Sequence, residues 1–257
     1  MSKKFLVLCM AALMALTALA AGCGGTQKSS DEKVLKVGTN ADFAPFEFQD
    51  ENGKEYQGFD MDLIRAVGEE MGYKVEISNV NFDGLIPALE AGNIDVAVSG
   101  MTINDERKQK VLFSDPYYKS GLSIVVAKDN TAINKFEDLK GKKVAVQIGT
   151  TSAAEVSKIG GVEVKEFNSS ADTFMELRAK GVDAVVNDRP VNDNYILKSG
   201  ETNVKALPDL LTSEDYGIAL SKQNGELQKK VNDALKKLHE NGKYDEIFAK
   251  WFGTASK

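Results

Sequence analysis

Two stretches of the sequence repeat one pattern: ALEAGNIDVAVSG at residues 88–100 and ELRAKGVDAVVND at residues 176–188. Each has the composition of a helix end, then a glycine, then an aspartate (Asp95 or Asp183) that begins a short apolar strand. A helix that gives way at once to a buried strand is typical of α/β layers in which most strands are parallel. The repeat therefore predicts an α/β protein made of two units with a similar plan.

Strand and helix patterns alternate on both sides of these stretches. Strands are expected at residues 35–39, 73–77, 94–98, 143–147, 162–167, 182–186 and 216–220. Helices are expected at residues 59–71 (with Asp60 as N-cap), 83–91, 152–159, 171–180, 226–240 and 244–252. Ligands bind beyond the carboxyl ends of strands in open parallel sheets. We therefore expect four loops to meet at one cleft, namely residues 39–43, 99–102, 147–152 and 187–188.

Length and extended segments predict how the two units are connected. The chain after residue 33 is long for one hydrophobic core and comfortable for two. The segment YYKSGL at residues 117–122 follows a proline, and a second extended segment lies at residues 212–217. We expect these two crossings to be hinges. The first lobe would comprise residues 34–117 plus 217–257, and the second lobe residues 122–212.

The N-terminus has the features of a secretory signal. A short basic stretch precedes an uncharged apolar run of 17 residues at positions 5–21, just short of a usual membrane span. The sequence AAGC at residues 20–23 resembles the lipobox of bacterial lipoproteins, in which the cysteine is acylated. We expect residues 1–22 to be a lipoprotein signal peptide, Cys23 to carry the lipid, and residues 23–33 to form a flexible tether. The protein would then be extracytoplasmic and anchored by lipid at the bacterial cell membrane.

Composition argues against several kinds of partner and site. The chain has 32 basic and 38 acidic residues, a formal net charge of −6, which gives little support to binding of nucleic acid or to a polybasic membrane contact. Of the two cysteines, Cys9 lies inside the apolar run and would leave with the signal, so Cys23 would have no disulfide partner. We expect neither a metal site nor a cofactor.

A positive charge stands in an unusual position after the first repeated stretch. In AVSGMTINDERK at residues 97–108, Arg107 falls in the expected first turn of a helix, where the helix dipole disfavours a cation. A bound anion would compensate for that cost, because a guanidinium binds a carboxylate through two parallel hydrogen bonds. The alternative is a solvated surface charge. Arg107 is therefore a candidate for binding an anion.

Five segments together carry a resemblance to a known family. They are GTNADFAPFEF (38–48), GFDMDLIRAVGEEMG (58–72), FDGLIPALEAGNIDVAVSGMTINDERKQKVLFSDPYYKSGL (82–122), AVQIGTTS (145–152) and ENGKYDEIFAKWFG (240–253). In this order they resemble the extracellular solute-binding proteins (family 3) of polar amino-acid ABC transporters, most of all the glutamine-binding members. The resemblance implies a two-lobed type II periplasmic-binding-protein fold, with mainly parallel sheets and two hinge strands. It also implies a receptor that closes over one amino acid and delivers it to an ABC transporter permease.

The resemblance assigns eleven residues to ligand binding, which are Asn40, Phe43, Phe82, Gly100, Thr102, Arg107, Gln147, Thr151, Ser152, Asn187 and Asp188. In this family the arginine at the position of Arg107 binds the ligand's carboxylate. The hydroxyl of Thr102 would add a donor, and a backbone N–H of Thr151 or Ser152 would add another at the start of a helix.

The ammonium group and the aliphatic stem of the ligand have their own assigned partners. Asp188 matches the family's aspartate for the ammonium group, and the carbonyl of Gly100 would complete that contact. Phe43 and Phe82 match the aromatic pair that encloses the stem. These roles agree with the chemistry of a free amino acid, because each of its two charges would be costly to bury without a partner.

The side-chain pocket would be lined by Asn40, Gln147 and Asn187. All three differ from the aspartate, lysine and histidine that the glutamine-binding members have there, and the result is a neutral pocket that can donate and accept. A neutral amide side chain would suit it, so glutamine is favoured. The alternative is a basic amino acid (arginine, lysine or histidine), for which Glu47 is a candidate source of negative charge.

Two other functions share this architecture. Some dehydratases that act on prephenate-like acids have the same fold, but the sequence shows no obvious nucleophile–base pair or cluster of metal ligands. The sensor domain of a signalling receptor is a further alternative. We expect a binding protein without enzymatic activity and without catalytic residues, and we expect a monomer.

Overall fold

The structure is a computed structural model that describes residues 33–50, 52–198, 200 and 202–253. The expected signal peptide, the lipid site at Cys23 and all of the expected tether except Lys33 lie outside the described residues. Within these ranges, no helix is long and apolar enough to cross a membrane.

The described chain alternates strands with helices. The strands are β1 (Lys33–Thr39), β2 (Asp42–Phe43), β3 (Glu47–Gln49), β4 (Tyr56–Gln57), β5 (Tyr73–Asn79), β6 (Val96–Ala97), β7 (Val111–Phe113), β8 (Tyr118–Ser120), β9 (Leu122–Ala127), β10 (Lys143–Gln147), β11 (Glu163–Phe167), β12 (Ala184–Asp188), β13 (Val204–Ala206), β14 (Glu214–Tyr216) and β15 (Ala219–Ser221). The helices are α1 (Phe59–Met71), α2 (Leu85–Glu90), α3 (Asp105–Lys108), α4 (Thr151–Ser157), α5 (Ser170–Arg178), α6 (Arg189–Lys198), α7 (Gly225–Glu240) and α8 (Lys243–Phe252). Two short 3-10 turns lie at Phe82–Gly84 and Phe136–Leu139.

Two five-stranded sheets follow the same plan. The first has the order β5-β1-β6-β15-β7, in which β1 is parallel to both β5 and β6, and β15 is antiparallel to its neighbours. The second has the order β11-β10-β12-β9-β13, in which β10 is parallel to both β11 and β12, and β9 is antiparallel to its neighbours. The last helices return to the first sheet, where α7 and α8 pack against α1.

The repeated aspartates hold equivalent positions in the two sheets. The carboxylate of Asp95 accepts a hydrogen bond of 2.8 Å from the backbone N–H of Lys36 in β1, and its own N–H donates to the Lys36 carbonyl. Asp183 makes the same pair of bonds with Lys143 in β10, again at 2.8 Å to the carboxylate. Each aspartate thus joins the start of a late strand to the early strand beside it. The repeat in the sequence therefore corresponds to the same pair of hydrogen bonds in each of the two sheets.

We expect Asp95→Ala and Asp183→Ala each to lower the free energy of unfolding by roughly 1 kcal/mol, because each removes one hydrogen bond to a charged acceptor. The double variant should lose about the sum, since the two residues lie in different sheets. Urea denaturation would measure both effects, with Asp233→Ala on an exposed face of α7 as the control. An unchanged midpoint in both single variants would contradict the structural role of the repeat.

Two extended segments carry the chain between the sheets. They are β8 and β14, which pair antiparallel with each other and belong to neither large sheet. The strand expected at residues 216–220 is therefore wrong as one element, because Tyr216 ends β14 whereas Ala219 begins β15 in the first sheet. Gly217 lies between them where a Cβ atom would come within 2.7 Å of the Ile103 side chain. The chain changes its partner strands at this glycine.

Asp60 does not cap helix α1 as expected. The N-cap is Gly58, whose φ of 125° and close approach to the Phe46 carbonyl admit only glycine. The carboxylate of Asp60 points inward and accepts hydrogen bonds from the Gly100 N–H at 2.8 Å and from the Tyr117 hydroxyl at 2.7 Å. Asp60 therefore ties the start of α1 to the loop after β6 and to the first crossing.

Candidate ligand-binding site

One cavity lies where the carboxyl ends of strands from both large sheets meet. It is lined by Asn40, Phe43, Glu47, Phe82, Ser99, Gly100, Thr102, Arg107, Gln147, Thr150, Thr151 and Asp188. Nine of the eleven residues assigned from the sequence are in this set, and Ser152 and Asn187 are not. Glu47, Ser99 and Thr150 also line the cavity, although none of them was among the eleven.

Arg107 is buried at the edge of this cavity. The side chain of Asn104 caps the short helix α3 by accepting from the Arg107 N–H. One guanidinium nitrogen donates to the Thr102 carbonyl at 2.8 Å, and another donates to the Gly149 carbonyl at 3.1 Å, which lies in the loop after β10. The guanidinium also stands over the Phe82 ring, 5.2 Å from its centroid. Two of its five donors are thus used by the backbone, and within the described ranges of the chain the other three have no hydrogen-bond partner and can serve an anion.

The charge of Arg107 is balanced by two acidic groups from other elements. Burial lowers the pKa of the guanidinium from its ordinary value, whereas the carboxylates of Glu214 and Asp188 act in the opposite direction. An arginine keeps its proton in proteins, so Arg107 stays positively charged, and these opposing effects describe only the electrostatic environment of its guanidinium. Arg107 is therefore a fixed cation of the cavity with acidic groups of β12 and β14 near it.

Asp188 ends strand β12 and is also buried. Its Oδ1 accepts from the hydroxyls of Ser120, at 2.8 Å, and Tyr216, so both crossings between the sheets contact this carboxylate. Burial, followed by the charge of Glu214, raises the pKa of Asp188 from 3.8 to about 7, although the hydroxyl donors and Arg107 oppose the increase. Both hydroxyls bond to Oδ1, which leaves Oδ2 to accept from a ligand.

Glu214 is a site residue that the sequence analysis missed. Its Oε2 accepts from the hydroxyls of Thr102 at 2.6 Å and Thr151 at 2.9 Å, and its Oε1 accepts from Thr212 at 3.0 Å. Thr102 follows a strand of the first sheet, whereas Thr151 begins helix α4 beside the second. The only local signal was an acidic residue in an extended crossing, which by itself does not distinguish a buried carboxylate from a solvated one.

The amide residues assigned to the side-chain pocket lie in two places. Gln147 donates to the Asn40 side-chain oxygen at 2.6 Å and to the Asn168 carbonyl at 3.0 Å, so Asn40 and Gln147 are joined across the cavity wall. Asn187 donates instead to the Ser170 hydroxyl at 2.8 Å and lies behind the wall. Ser152 is likewise buried in the first turn of α4, away from the cavity lining.

A pair of buried carboxyl groups, Glu47 in β3 and Asp60 in α1, lies beside the cavity. Glu47 lines the cavity and its Oε1 accepts from the Ser99 hydroxyl at 2.9 Å. Among the residues that the structure describes, Glu47 Oε2 and Asp60 Oδ1 have no hydrogen-bond partner. Burial and the charge of Asp60 raise the pKa of Glu47 well above its ordinary value, and burial raises that of Asp60 to about 6. Burial therefore favours the neutral form of this pair, in which the two neighbouring carboxyl groups can share a proton.

The chain is similar to several characterised proteins over most of its length. It is 33% identical to an arginine-binding extracellular protein of Bacillus subtilis (strain 168), an alignment that covers 97% of this chain and 98% of the relative. An ancestral arginine-binding protein, solved with arginine bound, is 48% identical with a TM-score of 0.84, and 86% of this chain and 99% of that chain are covered. A second structure of an ancestral arginine-binding protein contains glutamine.

A third relative connects this fold with an enzyme. It is an ancestral amino-acid-binding protein described as a precursor of cyclohexadienyl dehydratase, 44% identical with a TM-score of 0.79, over 85% of this chain and 95% of that one.

The sequence model of one protein family, the bacterial extracellular solute-binding proteins, family 3, matches residues 35–254. This match and the structural neighbours confirm the expected type II periplasmic-binding-protein fold with mainly parallel strands. The observed sheets and the cavity at their strand ends agree with it. The chain therefore belongs to the bacterial extracellular solute-binding proteins, family 3.

Proposed function

We propose that this protein is the receptor of an ABC importer, and that it captures one free polar L-amino acid in the cavity between its two sheets. The observation that carries the proposal is the presence of Arg107 and Asp188 at one cavity. Arg107 lies in α3 after the first sheet's strand β6, Asp188 ends β12 of the second sheet, and both side chains are buried and border the cavity. Each keeps hydrogen-bonding capacity that the opposite charges of a ligand would use.

A zwitterionic amino acid supplies both of these charges. Its carboxylate matches the free donors of Arg107, and the start of α4 offers backbone N–H groups beside it. Its ammonium group matches the carboxylate of Asp188. Phe43 and Phe82 line the cavity and would cover the aliphatic stem.

The candidate ligands differ in the charge of their side chain. Asn40 and Gln147 are neutral and favour an amide such as glutamine, but the carboxyl group of Glu47 belongs to a residue that lines the same cavity. A cationic side chain that reached Glu47 would favour its ionised form and pair with it, which an amide cannot do. Arginine-binding relatives point the same way. We therefore favour a basic amino acid, with glutamine as the competing outcome.

Movement of the two sheets relative to each other would close the site around the ligand. The hydrogen bond from Arg107 to Gly149 spans from the first sheet's loops to the second's, and β8 and β14 are the natural hinge strands. The lobes would be residues 34–117 plus 217–257 and residues 122–212. The closed monomer, held at the outer face of the bacterial membrane by lipid on Cys23, would present both lobes to the permease.

A thermal-shift panel on the purified chain, unfolded and refolded to remove copurified ligand, tests this function. A ligand at about 1,000 times its Kd should stabilise by about 4 kcal/mol, a shift on the order of 10 °C. We expect L-arginine or another basic amino acid to give the largest shift. A larger shift with L-glutamine would support the neutral-pocket hypothesis, and no shift with any amino acid would contradict the function.

Glu47→Gln provides a matched test of ligand class in the same panel. Removing this carboxylate should weaken binding of L-arginine about tenfold while L-glutamine binds as well as before or better, because only the cation loses a charged partner. Equal losses for both ligands would contradict a direct contact between Glu47 and the ligand side chain.

The enzyme alternative has a direct assay. Incubation with prephenate or arogenate, followed by detection of aromatic products, would reveal dehydratase activity. We expect no turnover above the uncatalysed rate, and measurable turnover would contradict the receptor function.

A further inference from the structure

The hydroxyl groups of Thr102 and Thr151 are held by one carboxylate. Glu214 Oε2 accepts from both, at 2.6 Å and 2.9 Å, while Thr212 bonds to Oε1. Both Thr102 and Thr151 line the cavity, whereas Glu214 stands behind them on the crossing strand β14. Two hydroxyls on opposite sides of the cleft thus share one acceptor.

This arrangement decides what the two hydroxyls can offer a ligand. A threonine hydroxyl has one proton and two lone pairs, and an ionised carboxylate only accepts. Each threonine hydroxyl donates its single proton in a hydrogen bond to Glu214. Only its lone pairs remain, so toward the cavity it can only accept hydrogen bonds. An acceptor suits an ammonium group, which has three donors and no lone pair, and it does not suit a carboxylate.

The charges around the site lead to the same assignment. Arg107 is a cation at this end of the cavity, and its acidic neighbours are Glu214, Asp188 and, on its own helix, Glu106. Of these three, Asp188 lines the cavity together with the two threonines. A ligand that placed its carboxylate on Arg107 but had no α-ammonium group would give Asp188 no cationic partner.

We propose that Glu214 is a positioning residue that fixes the protons of Thr102 and Thr151, so that the site selects ligands by their α-ammonium group. This inference rests on the proposed function and goes beyond it, because it explains why an amino acid, and not the corresponding acid, is bound. It also moves the Thr102 hydroxyl from the carboxylate, where the sequence resemblance had put it, to the ammonium group.

Glu214→Leu is the variant that tests the inference. Leucine keeps much of the volume but removes the charge and both acceptor oxygens, so both threonine protons are released toward the cavity. Isothermal titration calorimetry would compare L-arginine with 5-guanidinopentanoate, the same molecule without its α-amino group. The pair L-glutamine and glutaramate would replace it if the wild-type chain binds glutamine. Asp215→Asn, an exposed neighbour on the same strand, is the matched control.

We expect the Glu214→Leu variant to lower the ratio of the analogue's dissociation constant to that of the amino acid about tenfold, because binding of the amino acid weakens while the deaminated analogue binds as before or better. The control should keep the wild-type ratio. A parallel loss for both compounds, or an unchanged ratio, would overturn the inference, since a purely structural role affects both ligands alike. If the wild-type chain binds no amino acid at all, the proposed function itself fails, which is a different result from an unchanged ratio.

Discussion

Arg107→Ala should abolish amino-acid binding while the ligand-free protein still folds. The guanidinium is the cation that faces the ligand's carboxylate, and truncating one partner of a buried, hydrogen-bonded charge pair costs 2–5 kcal/mol or more. Affinity should therefore fall by roughly 100-fold or more. The two backbone carbonyls that Arg107 contacts, those of Thr102 and Gly149, would lose their donors, so a modest loss of stability is also expected.

Two further variants separate charge from geometry. Arg107→Lys keeps the positive charge but loses the planar fork that binds a carboxylate through two hydrogen bonds, so an intermediate loss of affinity is expected. Lys108→Ala removes the exposed cation next in the chain and should bind like the wild type. Calorimetry measures affinity, and thermal unfolding without ligand confirms that each variant folds. If the Arg107→Ala variant bound the ligand with wild-type affinity, this would contradict the assignment of Arg107 to the ligand's carboxylate.

Local patterns in the sequence predicted those parts of the fold that local forces decide. Helix α1 has the expected bounds, because Gly58 and Gly72 end the helical pattern on both sides with backbone conformations that favour glycine. Strand β10 also has its expected bounds. The repeated aspartates could be found because each bonds to a neighbouring parallel strand in the same way.

Long-range partners explain where the sequence analysis failed. Asp60 looks like an N-cap in its local sequence, but its partners Gly100 and Tyr117 are 40 and 57 positions away. The run from Tyr216 to Leu220 looks like one strand because alternation of apolar residues does not show a change of partner strand. Neither error concerns propensity, and both arise from contacts that form only when the sheets assemble.

In the candidate site, too, local sequence patterns revealed some residues, and others are defined only by long-range contacts. Nine assigned residues gather at one cavity because strand ends of parallel sheets meet at one edge and the family motifs mark those loops. Glu214 was missed because its partners Thr102 and Thr151 lie 112 and 63 positions away, and no spacing in the sequence records such contacts. Glu47 was noticed for its charge alone. Its burial next to Asp60, which makes that charge important, is a property of the packed sheet.

The affinity for an amino acid should rise with pH, and Asp188 is the principal reason. Burial raises the pKa of this carboxyl group to about 7 in the ligand-free site. An ammonium group pairs with the ionised form, so the proton must leave when the ligand binds. Between about pH 5.5 and pH 7.5 the wild-type affinity should increase roughly tenfold or more and then level off. Calorimetry in buffers of different ionisation enthalpy should detect proton release near pH 6.5.

The stability of the ligand-free protein should change in the opposite direction. Because the folded-state pKa of Asp188 lies above its ordinary value of 3.8, the folded state binds more protons than the unfolded state between about pH 4 and pH 7. The contribution of this group to stability is therefore present at low pH and is lost as the pH rises through about 7. Glu47, Asp60 and Asp42 have raised pKa values as well and add effects of the same sign.

Asp188→Asn isolates the contribution of this one residue. The amide keeps an oxygen that can accept from Ser120 and Tyr216, so the fold should survive, but the ammonium group loses its charged partner. We expect affinity at pH 7.5 to fall roughly 100-fold and the pH dependence of binding to become flatter, because the carboxyl group that loses its proton when the ammonium group binds has been removed. A variant that kept the wild-type affinity and the full slope would show that the ammonium group binds elsewhere. Glu47 would then be the group to test, since its carboxyl lines the same cavity and its pKa is also raised.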